Sequence, residues 1–94
     1  MTDKIEIAEA IRKKCNQRRY YQGGLTGSEE RLRNGEEELS NAHFKKNGCE
    51  HSRTFGHYLT KEEFEKQLAY IREDIKKYKA KITQIDLELE QMIG

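Results

Sequence analysis

The sequence predicts an all-α protein, either a helical hairpin or a three-helix bundle, formed by a single domain over residues 1–94. Isoleucine and leucine are the main apolar residues, while valine and proline are absent, and this composition suits helices better than strands. Hydrophobic residues make up 34% of the chain and charged residues 37%. The core is therefore expected to be a thin seam between helices, at a size where stability is marginal without further support.

The last third of the chain predicts a long, coiled-coil-like helix over about 60–93. Thr60 and Glu63 have the spacing of a capping box, which marks a helix start. Apolar residues then follow at alternating intervals of four and three, the pattern of a helix that packs along its length against another helix. These seam residues are Phe64, Leu68, Ile71, Ile75, Tyr78, Ile82, Ile85, Leu89 and Met92.

Two shorter helices are predicted before it. The first covers about 3–22, with Asp3 and Glu6 as a capping box, and Gly23-Gly24 is expected to end it. The second covers about 27–46 and repeats a leucine every seven residues. The leucines of that repeat are Leu25, Leu32 and Leu39.

The charge is balanced overall but uneven along the chain. With 18 basic and 17 acidic side chains, the protein is neither a bulk acidic imitation of nucleic acid nor a strongly basic nucleic-acid coat. Residues 1–22 carry six basic and three acidic side chains, whereas residues 23–41 carry two and five. The two stretches are expected either to face each other or to present separate patches to a partner.

A loop over 43–58 concentrates the ligand types that zinc prefers. Its candidate ligands are His43, Cys49, His51 and His57, with Cys15 as a substitute if the first helix packs over the loop. Their spacing matches no common zinc-finger pattern. The alternative is that these are ordinary surface histidines and a spare thiol.

If zinc binds there, a structural role is expected. A catalytic zinc needs an open coordination position and a general base within a pocket. Glu50 lies between two candidate ligands, but a chain with so thin a core has little interior for a substrate cavity. The sequence therefore predicts a protein that is not an enzyme.

A basic run that contains two tyrosines, residues 12–21, is the second candidate site. Arginine and tyrosine dominate the hot spots of protein interfaces, so this run is predicted to contact a protein partner. Basic side chains beside aromatic rings also suit phosphates and bases, and a third interpretation is a solvated face turned toward the acidic middle segment. The predicted contact residues are Arg12, Arg18, Arg19, Tyr20 and Tyr21.

In its small size, helical composition and unexpected cluster of Cys49, His51 and His57, the chain resembles the phage-encoded anti-CRISPR proteins that inhibit type II effector nucleases. The resemblance is one of type and includes no diagnostic motif. It implies a non-enzymatic, zinc-stabilised inhibitor in the bacterial cytoplasm. Such an inhibitor binds a protein surface of the nuclease and blocks DNA loading or cleavage.

Two other functions fit the sequence. One is a small regulator that binds nucleic acid through the basic helix, and the other is a helical adaptor or secretion partner that offers its heptad seam to another chain. The seam allows either a monomer or a homodimer. Two distant cysteines and the lack of a signal peptide or long apolar run predict a cytoplasmic protein without a membrane span.

Overall fold

Two long helices form an antiparallel hairpin in the computed structural model, which describes residues 4–44 and 48–93. Helix α1 is Lys4–Asn41 and helix α2 is Lys61–Ile93. Between them, strands β1 (Glu50–His51) and β2 (Tyr58–Leu59) pair antiparallel, with Glu50 opposite Leu59. The molecule is a rod of 70 × 17 × 15 Å. Neither helix, over its described residues, contains a stretch apolar enough to cross a bilayer.

Helix α2 starts where the sequence predicts. The Thr60 amide donates to Glu63 Oε1 at 3.1 Å, and the Glu63 amide donates to Thr60 Oγ1 at 3.2 Å, so both halves of the capping box form. The predicted seam faces α1. Its buried members are Phe64, Leu68, Ile71, Ile75, Ile82 and Ile85.

The three-helix alternative is wrong, because α1 continues through Gly23-Gly24 instead of ending there. Each glycine costs a helix only about 1 kcal/mol, and packing against α2 offsets that cost. Gly24 also has a packing role: a Cβ at this position would lie 2.7 Å from the Tyr78 ring. Helix α1 ends at Asn41 and residues 42–44 are not helical, so the helix end predicted near 46 is too late. Asp3 of the first capping box lies outside the described residues.

A second heptad pattern in α1 explains why it stays helical. Its buried and half-buried residues recur at alternating intervals of three and four, as those of α2 do, so the two helices pack as an antiparallel coiled coil. Several positions of this seam hold polar residues or glycine, which hides the pattern in the sequence. The seam residues are Ile11, Lys14, Arg18, Tyr21, Leu25, Ser28, Leu32, Gly35 and Leu39.

The best-packed part of the core lies at the closed end of the rod, where residues 42–60 connect the helices. Phe64 is 1% exposed. Its ring centroid lies 5.8 Å from that of Phe44 and 5.9 Å from that of Phe55, both in edge-to-face geometry. Leu59 and Leu68, 3% and 1% exposed, complete this cluster. The aromatic edge contacts add to the stabilisation from burial.

Replacing Gly35 with alanine is expected to destabilise the hairpin by about 1–2 kcal/mol, because overpacking outweighs the gain in helix propensity. A Cβ there would lie 2.7 Å from Leu68 Cδ2 and 3.4 Å from Phe55 Cζ. Gly23→Ala is the matched control, since a Cβ at Gly23 has no atom within 4 Å among the described residues. That control is expected to stabilise by about 0.5–1 kcal/mol. Equal stabilisation of both variants in urea melts would contradict the close packing at Gly35.

Candidate functional site

The predicted zinc ligands lie on the segment that connects the helices at the closed end. His43 and Cys49 are exposed on either side of residues 45–47, which lie outside the described residues. His51 is in β1, and its ring centroid is 5.1 Å from that of Tyr58. His57 is exposed and precedes β2; its carbonyl oxygen accepts a hydrogen bond from the Ser52 amide at 2.9 Å.

Residues 4–44 and 48–93 contain no group of three or more His, Cys, Asp or Glu placed to hold a metal ion. Cys15 does not join the loop, because 26 residues of helix, about 39 Å at 1.5 Å each, separate it from Asn41. The zinc site on the remaining four residues stays a prediction. Elemental analysis of protein purified without added metal tests it: one zinc per chain would support the site, and no zinc would overturn it.

A carboxylate that the sequence did not single out holds the connecting segment to α1. Glu38 accepts hydrogen bonds from Ser52 Oγ at 2.9 Å, the Arg53 amide at 2.6 Å and the Thr54 amide at 3.3 Å. Ser52 is fully buried, and its Oγ accepts a further bond from the Phe55 amide at 2.9 Å. The turn is thereby fixed to α1 one helical turn beyond Gly35.

These contacts change the acidity of Glu38. Burial of the carboxyl group raises its pKa, but the hydrogen bonds from Thr54, Arg53 and Ser52 favour the carboxylate more strongly. The net effect is a pKa below its ordinary value. Glu38 is thus a structural carboxylate that works in its charged form.

The five predicted contact residues divide into two groups. Arg18 and Tyr21 help to hold the helices together: Arg18 Nε donates to Asp86 Oδ1 at 2.7 Å, and the Tyr21 ring lies 6.4 Å from the Tyr78 ring. Arg12, Arg19 and Tyr20 are exposed, Tyr20 at 75%. The exposed three are available to a partner.

The structure places the exposed residues within a larger basic surface, here called the basic belt. It consists of residues 10–28 of α1 and residues 75–85 of α2. Tyr21 and Gly24 lie beside Tyr78, whereas Lys14 and Arg18 lie beside Glu88 and Asp86, just beyond the α2 part of the belt. Together the two parts of the belt carry nine lysine and arginine side chains and no aspartate or glutamate. The nine are Arg12, Lys13, Lys14, Arg18, Arg19, Lys76, Lys77, Lys79 and Lys81.

One interpretation of the sequence turned the basic run toward the acidic middle segment, residues 23–41. The structure shows that the two stretches do not face each other. Both belong to the one continuous helix α1, so they follow each other along the rod. The neighbour of the basic run is the second half of α2, as the contacts of Arg18 with Asp86 and of Lys14 with Glu88 show. Asp86 and Glu88 neutralise Arg18 and Lys14, while the lysines over residues 76–81 of α2 add positive charge beside the rest of the basic run.

Most of the belt's charge is not neutralised within the protein. Lys14, Arg18 and Lys76 form ion pairs, the last with Glu73 at 3.5 Å. The other six side chains are exposed and form no ion pair with any described residue. Cations that lie close together produce a local positive potential that attracts anions.

A groove between the two helices opens at the edge of the belt, where Glu88 also lines it. Its volume is about 510 Å³. Lysines and side-chain amides from both helices line it together with one exposed aromatic ring. The lining residues are Lys14, Asn16, Gln17, Tyr20, Tyr21, Lys81, Gln84, Ile85 and Glu88.

Sequence reasoning missed the α2 half of this site. The run Lys76-Lys77-Tyr78-Lys79-Ala80-Lys81 is visible in the sequence, and counting charges along α2 finds it. Its proximity to the basic run of α1 follows only from the hairpin.

No protein-family model, curated protein or solved structure matches the chain.

Proposed function

We propose that this protein is a non-enzymatic binding module whose basic belt binds the phosphate backbone of nucleic acid. The observation that carries the proposal is the gathering of nine cations from two helices, six of which are exposed and form no ion pair with any described residue. Nucleic-acid affinity depends chiefly on such cations, because each phosphate they neutralise releases condensed counterions.

The size of the belt suits a strand of phosphates. Residues 10–28 extend along α1 for about 27 Å, and residues 75–85 along α2 for about 15 Å. One strand of B-form DNA carries a phosphate about every 3.4 Å of axis, and the rod is 17 × 15 Å across, so a strand that crosses the rod places about four to five phosphates on the belt. Six exposed, unpaired cations are enough to hold several of them.

The charges beside the belt favour a strand over a flat anionic surface. Glu29 and Glu30 follow it on α1, and Asp86, Glu88 and Glu90 follow it on α2. An anionic membrane surface that lies along the 70 Å rod would also meet these carboxylates and be repelled by them. A narrow strand that crosses the rod at the belt meets fewer of these carboxylates.

The proposal is tested by fluorescence anisotropy with labelled oligonucleotides over a range of salt concentrations. With about three to five phosphate contacts on a single strand, the logarithm of affinity is expected to fall against the logarithm of salt with a slope of about −2 to −3.5. No measurable binding at low salt, to single strands or duplexes of DNA or RNA, would overturn the proposal.

Paired substitutions locate the binding surface. Arg19→Ala with Lys77→Ala removes two exposed belt cations and is expected to reduce the salt slope by about 1.4. Arg33→Ala with Lys66→Ala removes the same charge from exposed positions outside the belt and is the matched control. An equal loss of affinity in both double variants would show that total charge, not the belt, determines binding.

A second candidate function is the inhibition of a type II CRISPR effector nuclease, which the resemblance implies. The observation that favours it is the acidic closed half of the rod: residues 29–44 and 48–74 carry eleven acidic and six basic side chains. Such a surface complements a basic one on a nuclease, where docking would block DNA loading. Co-elution with an effector and loss of DNA cleavage would support this function; failure across a panel of effectors would remove it.

A further inference from the structure

We infer that the belt selects single-stranded nucleic acid by taking one base into the groove between α1 and α2, where the base stacks on Tyr20. This inference rests on the proposed function and specifies its ligand. The carrying observation is an exposed aromatic ring and three side-chain amides that line one groove between the helices, together with two lysines and the lysine-bound carboxylate of Glu88.

The Tyr20 ring is held in place without being covered. Its centroid lies 5.4 Å from that of Tyr21 in edge-to-face geometry, and Tyr21 in turn contacts Tyr78. The ring is nevertheless 75% exposed, so one of its faces is available. An exposed ring supported from behind is the usual platform for a nucleic-acid base.

The groove is better suited to a base than to a phosphate. Glu88 lies in it, and its carboxylate is held by Lys14 and by Gln84 Nε2, which donates to Glu88 Oε1 at 3.1 Å. A second anion in the same groove would be repelled, whereas an uncharged base is not. The amides of Asn16, Gln17 and Gln84 supply donors and acceptors for the edge of a base.

The phosphates on either side of that base then meet the cations around the groove. Lys81 lines the α2 side, and Lys77 lies one helical turn before it. Lys13 lies one turn before Gln17 on α1. Both lysines that flank the groove are exposed and unpaired among the described residues, so the backbone can cross the rod while one base points inward.

A duplex cannot bind in this way without breaking a base pair. Its bases are stacked and paired, and extruding one costs a few kcal/mol. Single strands present their bases without that cost. The groove therefore discriminates in favour of single strands over duplexes, while the belt cations attract both.

The test compares Tyr20→Ala with Tyr70→Ala in anisotropy titrations against a single strand and a duplex of the same sequence. Tyr70 is 62% exposed on α2 and lies outside the belt, so it is the matched control. Tyr20→Ala is expected to weaken single-strand binding about five- to one-hundredfold, the range for losing one stacked base. Duplex binding is expected to change less than about twofold, and Tyr20→Phe is expected to keep the wild-type affinity.

A spectroscopic readout separates stacking from a change in charge or fold. The chain has no tryptophan, so Tyr20→Trp introduces a unique fluorophore whose emission is expected to be quenched by a single strand. In the control variant Tyr70→Trp, the tryptophan emission is expected to stay unquenched. Unchanged single-strand affinity in Tyr20→Ala, or equal weakening of single-strand and duplex binding, would overturn this inference. Salt-dependent binding by the wild-type protein would still support the proposed function in that case. Absence of binding by the wild-type protein would remove both.

Discussion

Phe64→Ala is expected to lower the free energy of unfolding by about 3–5 kcal/mol, the largest effect of any single truncation proposed for this chain. Phe64 is 1% exposed, and its ring contacts the rings of Phe44 and Phe55. Its removal leaves a cavity where α2, the turn and the end of α1 meet. A thin core has few other side chains that can move to fill the space.

Urea denaturation followed by circular dichroism measures the effect. Tyr70→Ala is the control, because this large aromatic side chain is exposed on the same helix and its loss is expected to change stability by less than about 0.5 kcal/mol. Similar stabilities for both variants would contradict the packing at the closed end.

Glu38→Gln is expected to destabilise the protein by about 2 kcal/mol at pH 7, the cost of losing charged hydrogen bonds. The amide keeps the shape of the carboxylate but has only one acceptor oxygen. The Arg53 and Thr54 amides both donate to the Glu38 carboxylate, and Ser52 Oγ donates to its second oxygen. Glu37→Gln changes the same charge at an exposed neighbouring position and is expected to have little effect.

The effect of Glu38→Gln is also expected to depend on pH. The hydrogen bonds lower the pKa of Glu38 in the folded protein below its ordinary value of 4.5. Its contribution to stability is therefore complete above that ordinary value and is lost as the pH falls through the lower folded pKa. The difference in unfolding free energy between wild type and variant should shrink in acid. A difference that stays constant from pH 7 to pH 2 would contradict the role of the charged form.

Much of α2 could be predicted from the sequence because its signals agree with one another. The capping box at Thr60 and Glu63 forms, and the apolar heptad that follows faces α1. Local capping and side-chain periodicity act within one helix, so both can be read without knowing the partner. Tyr78 of the same seam is half-buried, because its ring packs over Gly24.

The continuity of α1 could not be predicted in the same way. Gly23-Gly24 is a helix-breaking pattern when considered alone, and Gly35 weakens the helix further. Only the partner helix explains Gly24 and Gly35, since each lies where a side chain of α2 or the turn approaches the backbone. Lys14 and Arg18 also occupy seam positions, where their partners on α2 are 70 or so residues away in sequence.

The candidate site could likewise be predicted from the sequence only in part. Tyr20 and Arg19 are exposed on a solvated helix face, and their contact with a partner stays a prediction. The belt itself depends on a long-range pairing of two basic runs, which no local pattern contains. The hydrogen bonds of Glu38 likewise join positions about fifteen residues apart.

The most direct test of the basic belt is an NMR titration of the ¹⁵N-labelled protein with a single-stranded oligonucleotide. We expect the amide shifts to change in residues 12–21 of α1 and residues 76–85 of α2 together, with little change at the closed end. Changes confined to residues 29–44 and 48–74, or to only one of the two basic runs, would contradict the belt as the binding surface.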